Sequence, residues 1–354
     1  MLALFSILFN AAAGFCVFMF LLIGRLLHIA DSRSKQCAIL AFLALCVLGP
    51  AWVGARFPSA PGLAIAAGVV VLALITEAAK LTMSRIWRGT PPIGSVAHRI
   101  RLARPVTTTD LDTHRFAVHV PRWKGARLRV AHLSDLHVNP SLPLDYYRRV
   151  FDAVDAEAPD LCFITGDFVS QERHLDLLAR VLRPAGRLGS YAVLGNHDFW
   201  IGVEKVAAVV RSAGIDLLLD ASRSIRHHGA PVQITGCNEP WLPRFQVNPP
   251  VEDDALHLLL AHTPDNIFRL AREGADCVFA GHCHAGQFRL PHVGSLVVPS
   301  VYGRLFDHGH FTVHGVHLFV SSGVGAANPP LRLYCHPDIF IVDINLPSPC
   351  DTTA

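Results

Sequence analysis

An α/β domain with at least two sheets, carried behind an apolar helical N-terminal region, is the fold class the sequence predicts, on three observations. Charged side chains make up 17% of the 354 residues, against about a quarter in an ordinary soluble domain, and only Arg25, Asp31, Arg33, Lys35 and Arg56 fall within residues 1–76. From Arg115 onward short apolar runs alternate with helical stretches, the pattern of strands and helices built into one domain. Nearly every apolar run ends in a short cluster of Asp, Asn or His. This composition excludes a disordered or fibrous chain, a small disulfide scaffold and a chain that is membrane throughout.

The N-terminal region reads by length, because roughly 20 apolar residues span a bilayer core. Residues 1–24 and 37–55 carry no charge, and residues 61–76 are apolar before the helix continues through Glu77, so the expected spans are 1–24, 37–55 and 61–83. Pro50 is tolerated inside such a helix when neighbours satisfy the freed backbone groups. The first stretch lacks a basic leader and a small-residue cleavage site and runs into Arg25, which argues against a secretory signal. Arg25, Arg33 and Lys35 follow the first span, Arg56 alone follows the second, and Lys80, Arg85, Arg88, Arg99, Arg101 and Arg104 follow the third. With three spans both basic segments share one side, which predicts a multi-pass inner-membrane protein with its soluble domain in the cytoplasm. The expected division is an anchor (1–83), a basic juxtamembrane linker (84–126), a soluble α/β domain (127–345) and a tail (346–354).

A net charge of +3 is too small to indicate nucleic acid, and the basic linker reads as a segment facing anionic lipid or as a topology determinant. The nine cysteines include no CxxC pair and fit free thiols in a reducing compartment.

In the soluble part the expected strands are Leu128–Ser134, Leu161–Thr165, Tyr191–Leu194, Val232–Thr235, Leu256–Ala261, Cys277–Ala280, Gly294–Val298, His310–Val313, His317–Val320 and Ile339–Ile344. The expected helices are Leu144–Glu157, Leu175–Arg183, Val203–Ser212 and Pro264–Arg272. The polar clusters sit at the strand ends: Ser134-Asp135-Leu136-His137, Gly166-Asp167, Gly195-Asn196-His197-Asp198, Ala261-His262 and Gly281-His282-Cys283-His284. Read as extended chain, Asp135 with His137, and His282 with His284, point the same way and reach one metal together. Asp167 follows a buried strand, where an unpaired charge is expensive. Asp135, His137, Asp167, Asn196, His262, His282 and His284 offer seven N and O donors, too many for one tetrahedral zinc. Two metals sharing a bridging carboxylate account for the number.

The ordered series DLH, GD, GNHD, AH, GHCH resembles the calcineurin-like metallophosphoesterase superfamily, over roughly residues 127–345, in its membrane-associated bacterial branch. The resemblance implies a four-layer α/β/β/α sandwich with two divalent metal ions, manganese expected and iron or zinc also suitable. It assigns Asp135, His137 and His284 to one metal, Asn196, His262 and His282 to the other, and Asp167 to both. His197, oriented by Asp198, would protonate the leaving oxygen while a metal-bridging hydroxide attacks phosphorus in line. Cys283 stands where a Thr is usual and reads as a packing residue. Arg304 and Arg332 read as solvated surface cations, with the grip of a second phosphate as the alternative, and His308, His310, His314 and His317 as surface or packing residues.

The substrate class implied is a phosphodiester or pyrophosphate. Membrane anchoring, Phe199-Trp200 and Trp241 to Phe245 suggest an acyl-chain wall, as for UDP-2,3-diacylglucosamine in lipid A synthesis. The alternatives are a broad-specificity membrane phosphodiesterase and a non-catalytic metal-binding membrane module, which would be expected to have lost ligands. A transporter is disfavoured because the spans hold no ionisable side chain.

Overall fold

The computed structural model describes residues 1–19, 33–244, 246–248, 250 and 252–345. Arg25, Asp31, Phe245 and the 346–354 tail lie outside them. The chain divides into two units. The first, Met1–Ile86 with Val297–Leu305, holds α1 (Leu2–Val17), α2 (Arg33–Arg56) and α3 (Ala60–Ile86). α2 and α3 are long and apolar enough to cross a membrane, whereas α1 is 16 residues long, short for a full span. Leu40, Leu45, Leu48, Ile65, Leu72 and Leu74 face outward, a surface suited to hydrocarbon rather than water. α2 runs through Pro50 without ending. Arg304 is no solvated cation: it lies 3.5 Å from Glu77 of α3.

The second unit, Trp87–Leu296 with Phe306–Ala354, contains β1 (Gly94–Val96), β2 (Asp112–Val118), β3 (Leu128–Leu133), α4 (Leu144–Ala156), β4 (Leu161–Thr165), α5 (Leu175–Val181), β5 (Ser190–Val193), α6 (Asn196–Ile201), α7 (Val203–Ser212) and β6 (Asp216–Leu217). There follow β7 (Ser222–His227), β8 (Ala230–Cys237), β9 (Leu256–Ala261), α8 (Ile267–Arg272), β10 (Cys277–Ala280), β11 (Arg289–Leu290), β12 (Gly294–Ser295), β13 (Gly309–Val313), β14 (Val316–Val320) and β15 (Asp338–Ile344). A seven-stranded sheet runs in the order β1-β2-β15-β3-β4-β5-β6, and a six-stranded sheet in the order β13-β14-β10-β9-β8-β7.

The two sheets share a core of Phe163, Phe279, Phe319 and Phe340 with Leu256, Leu258 and Leu260. Each such side chain contributes about 1.5–3 kcal/mol on burial. β4 (LCFIT) and β9 (LHLLLA) are buried at every position, as expected of parallel strands covered on both faces. Tyr146, Tyr147 and Val150 of α4, Leu178 of α5, and Val206 and Val210 of α7 pack on the outer face of the first sheet. α8 joins the parallel neighbours β9 and β10, so the crossover places it on the outer face of the second sheet. The layers are therefore α/β/β/α, the last of them thin.

The segment expected as a linker is in part sheet. β2 pairs in parallel with β15 from Asp112↔Asp338 to Val118↔Ile344, and β1 pairs with β2, so the catalytic unit begins well before residue 127. Asp112, His114 and Arg115 give β2 a polar reading, and its apolar partner β15 lies more than 200 residues away in sequence. β7 (SRSIRH) carries little apolar signal for a related reason: it is an exposed edge strand, where polar side chains block unwanted pairing.

Candidate metal centre

β3, β4 and β5 are mutually parallel, as are β8, β9 and β10, so each set delivers its C-terminal residues to one edge of its sheet. There the polar clusters meet. Asp167 Oδ2 lies 3.4 Å from His137 Nε2 and 3.4 Å from His262 Nε2. On one side, His284 Nε2 is 3.1 Å from His137 Nε2 and 3.2 Å from Asp135 Oδ1. On the other, His262 Nε2 is 3.1 Å from Asn196 Oδ1 and 3.2 Å from His282 Nδ1. All seven residues are buried, and Asp167 stands between the two groups.

The route by which they meet differs from the extended segments expected. Asp135, His137, Asp167, His282 and His284 have φ between 40° and 65°, the left-handed region that non-glycine residues enter at a cost of about 1–3 kcal/mol each. Tight turns after β3, β4 and β10, rather than strand alternation, aim these donors. The carbonyls of Gly166, Asp167 and Phe168 accept from the amides of Asp135, His137 and Val138, which locks the first two turns together. Two glycines permit the approach: a Cβ on Gly281 would overlap Ser134 Oγ and Asp135 Oδ2, and one on Gly195 would overlap Asp167 Oδ1.

These residues suit a pair of divalent ions. Asp135 Oδ1 is buried with no hydrogen bond, and neutral imidazole, carboxylate and amide oxygen are the donors that zinc, manganese and iron accept. Burial alone would raise the carboxyls of Asp135 and Asp167, but His284 for the first, and His262 and His197 for the second, hold both well below the usual carboxylate range. Burial drives His137 far below its ordinary value despite Asp167. For His262 burial is outweighed by Asp167 and Asp135, and the ring is pushed up to about 9. The anionic carboxylates thus favour a cation between the rings.

Outer contacts fix these donors, as metal ligands require. His137 Nδ1 meets Ser170 Oγ at 2.7 Å, and His262 Nδ1 meets the Thr165 carbonyl at 2.6 Å. Asp135 Oδ2 accepts from Ser134 Oγ (2.6 Å) and from the His282 amide (3.0 Å). Ser134 Oγ accepts from Thr165 Oγ1 at 2.8 Å, and Thr165 Oγ1 lies 2.9 Å from His132 Nε2. With Nε2 protonated, each group donates in turn along a chain from His132 to Asp135.

His132 Nδ1 is buried without a hydrogen bond, and burial pulls the ring down to about 4. The unfolded chain binds this proton below about pH 6.5 and the folded chain only below about 4, so stability is full above 6.5 and is lost as pH falls through that window. The loss amounts to about 3 kcal/mol at about 1.4 kcal/mol per pH unit. Denaturant titrations at pH 7 and pH 4.5 are expected to show a smaller acid loss for His132→Phe than for the wild type; equal losses would contradict the assignment.

His197 sits on α6 with its ring 4.7 Å from that of His137 and 4.6 Å from that of Trp200. Its amide donates to Asp167 Oδ1 at 2.9 Å. Asp198 has a task the sequence did not suggest: its oxygens accept from the amides of Phe168 (3.0 Å) and Gly195 (2.9 Å), so it fixes the turn that carries Asn196 and His197. Trp241 stands 5.3 Å and 5.4 Å from the rings of His262 and His282. Phe199, expected beside the site, packs instead against the core beneath the first sheet. Burial raises the Cys283 thiol far above its usual value and keeps it neutral; the residue lies in a turn at φ −72°, not in a strand.

Arg332, read from sequence as a surface cation, is fully buried. It donates to the carbonyls of Ser322 (2.6 Å), Gly323 (3.0 Å) and Gly325 (2.7 Å), and its Nη2 is 3.4 Å from His284 Nδ1. The loop it clamps in turn bonds to Ser134 and Asp135 through the amides of Val324 and Gly325. Arg332→Ala would take the donor from the carbonyls of Ser322 and Gly325, at about 1–3 kcal/mol for each buried group, while the Gly323 carbonyl keeps the Asp338 amide. A melting temperature lowered by several degrees, with weaker metal retention, is the expected result; a variant as stable as the wild type would show the clamp to be dispensable.

Five ionisable side chains and an amide gathered around the Asp167 carboxylate make a candidate metal centre at the edge of the sandwich. Residues 128–286 match the calcineurin-like phosphoesterase family. An uncharacterized metallophosphoesterase of Aquifex aeolicus (strain VF5) is 30% identical over 233 residues, 62% of this chain and 86% of the relative. Phosphodiesterase YaeI of Escherichia coli (strain K12) is 29% identical over 241 residues, 66% and 88% of the two chains. A Bos taurus transmembrane protein with metallophosphoesterase domain is 26% identical over 272 residues, 68% and 57% of the two chains. The chain belongs to the calcineurin-like metallophosphoesterase family, whose members work with dinuclear divalent metal centres, and it is a hydrolase of phosphoester bonds.

Proposed function

We propose that the chain is a membrane-anchored, dinuclear metal-dependent hydrolase of a phosphodiester or pyrophosphate bond whose substrate carries an apolar group. The observation that carries the reading is the equal 3.4 Å separation of Asp167 Oδ2 from His137 and His262, the place of a carboxylate shared by two ions. Asp135, His137 and His284 would hold one ion, and Asn196, His262 and His282 the other, with manganese the first choice. When bound, the ions supply a water of lowered pKa and positive charge against the phosphoryl oxygens. Around them the protein orients and protonates. Asp167 is held through Oδ1 by the His197 amide, and the His197 ring, on the rim of the centre, donates a proton to the leaving oxygen.

Trp200 and Trp241 are half-buried beside this centre and offer apolar walls for a lipid-linked substrate. The apolar faces of α2 and α3 support a multi-pass anchor, and the basic residues flanking it support a cytoplasmic, inner-membrane position. UDP-2,3-diacylglucosamine is the sharpest substrate candidate. The test compares UMP release from it with hydrolysis of bis-p-nitrophenyl phosphate, using detergent-purified protein with manganese and Asp167→Ala as the blank. Selective UMP release, with Trp241→Ala raising KM for the lipid several-fold and leaving the diester unchanged, is the expected result. Activity on the generic diester alone would retain the phosphodiesterase and discard the lipid. No activity on either would favour a metal-binding module.

A further inference from the structure

Histidines that fitted no role in the sequence gather at a second place in the catalytic unit. His114 of β2, His308 just before β13, and Asp338 at the start of β15 each present one donor atom, all within 4.8 Å of one another. They come from three segments and both sheets: β2 and β15 belong to the seven-stranded sheet, and β13 to the six-stranded one. None belongs to the centre around Asp167.

The three are held as ligands are held. Asp338 is buried; its Oδ1 accepts from Ser321 Oγ (2.7 Å) and the Ser322 amide (3.1 Å), while Oδ2 lies 2.6 Å from His308 Nε2. His114 Nδ1 meets Ser95 Oγ at 2.9 Å, which leaves Nε2 for a metal when Nδ1 carries the proton. The His308 carbonyl accepts from Arg88 at 2.7 Å. His114 and His308 also line a cavity of about 220 Å³, large enough for solvent to occupy remaining coordination positions. A simple His308–Asp338 ion pair involves two of these side chains; His114 joins them with its ring against His308 and Phe340.

We propose that His114, His308 and Asp338 form an additional, mononuclear site for a divalent transition metal of the zinc class, clasping the two sheets together. Two imidazoles and one carboxylate favour zinc or cobalt over magnesium or calcium, which prefer all-oxygen shells. Donors around a tetrahedral zinc lie about 3.3 Å apart at usual bond lengths, so side-chain adjustment alone closes the present spacing. Binding through Nε2 takes the neutral His308 ring with its proton on Nδ1, so that Nε2 turns from Asp338 Oδ2 to the metal, and water completes the coordination.

The test is zinc content per chain, by elemental analysis of detergent-purified full-length protein stripped with chelator, reloaded and freed of excess metal. The wild type is expected to hold one more zinc than His308→Ala and than His114→Gln, with both variants keeping hydrolysis of bis-p-nitrophenyl phosphate within about twofold. Zinc should raise the melting temperature more in the wild type than in either variant. Equal zinc content in all three would overturn the proposal. The neighbouring trio His98, Asp112 and His336 is the competing location. Loss of the extra ion in His98→Gln, with retention in His308→Ala, would reassign it there and overturn the site. Should both variants fail to fold, Asp167→Ala/His262→Ala, which leaves the three residues untouched, should still retain one zinc, and a chain with none would refute the site.

Discussion

Asp167→Ala abolishes phosphodiester hydrolysis, with kcat/KM expected to fall by at least about 10⁴-fold. The carboxylate lies 3.4 Å from imidazoles on both sides of the centre, so its loss weakens the hold on both ions rather than one. It also carries the negative charge that, with Asp135, offsets the burial of His262. Stabilisation of charge on the phosphoryl oxygens and activation of water both depend on those ions, and each contributes several kcal/mol to lowering the barrier. Because Asp167 Oδ1 accepts the His197 amide, the substitution also frees the proton donor's backbone. Asp167→Asn, which keeps that acceptor and the shape but removes the charge, should lose metal affinity while retaining the fold by circular dichroism. Residual activity above about a hundredth of wild type would mean that Asp167 does not serve both ions.

His197→Ala gives the second largest loss, about 10²-fold to 10⁴-fold, the usual worth of a general acid. Its diagnostic property is selectivity. A good leaving group such as p-nitrophenolate departs without a proton, so the variant should lose little on an activated diester and most of its rate on an alkyl diester. The geometry supports a separable role: the ring lies against His137 and Trp200, while the amide, which the variant keeps, supports Asp167. Equal losses on both substrates would show that His197 binds or positions rather than protonates.

The order of elements was legible, and so was the set of seven side chains that the strand ends bring together, because a polar residue at the end of an all-apolar parallel strand has few other reasons to be there. LCFIT followed by Gly166-Asp167, and LHLLLA followed by His262, announce both a buried strand and its chemistry. How the donors aim was not legible. Asp135, His137, His282 and His284 use left-handed turns, and no rule of side-chain alternation describes a residue at φ 40–65°. In the same way Phe199 and Trp200 are adjacent in sequence but diverge on α6, one to the core and one to the site.

Long-range partners hid the rest. Arg332 looks solvent-bound in sequence because its acceptors are backbone carbonyls of a glycine-rich loop, which no residue pattern marks. β2 reads as part of a basic linker until β15 pairs with it. The same pairing, with β13 on the other sheet, brings His114, His308 and Asp338 together. From sequence Asp198 reads as a partner for the His197 ring, but a carboxylate in the first turn of a short helix is also positioned to accept backbone amides, as it does from Gly195 and Phe168.

The most direct test of a dinuclear phosphodiesterase is the metal dependence of bis-p-nitrophenyl phosphate hydrolysis by the purified full-length chain. Activity should vanish on chelation, return on adding manganese, and stay absent from Asp167→Ala under both conditions. Hydrolysis that survives complete chelation, or that Asp167→Ala retains, would contradict the account.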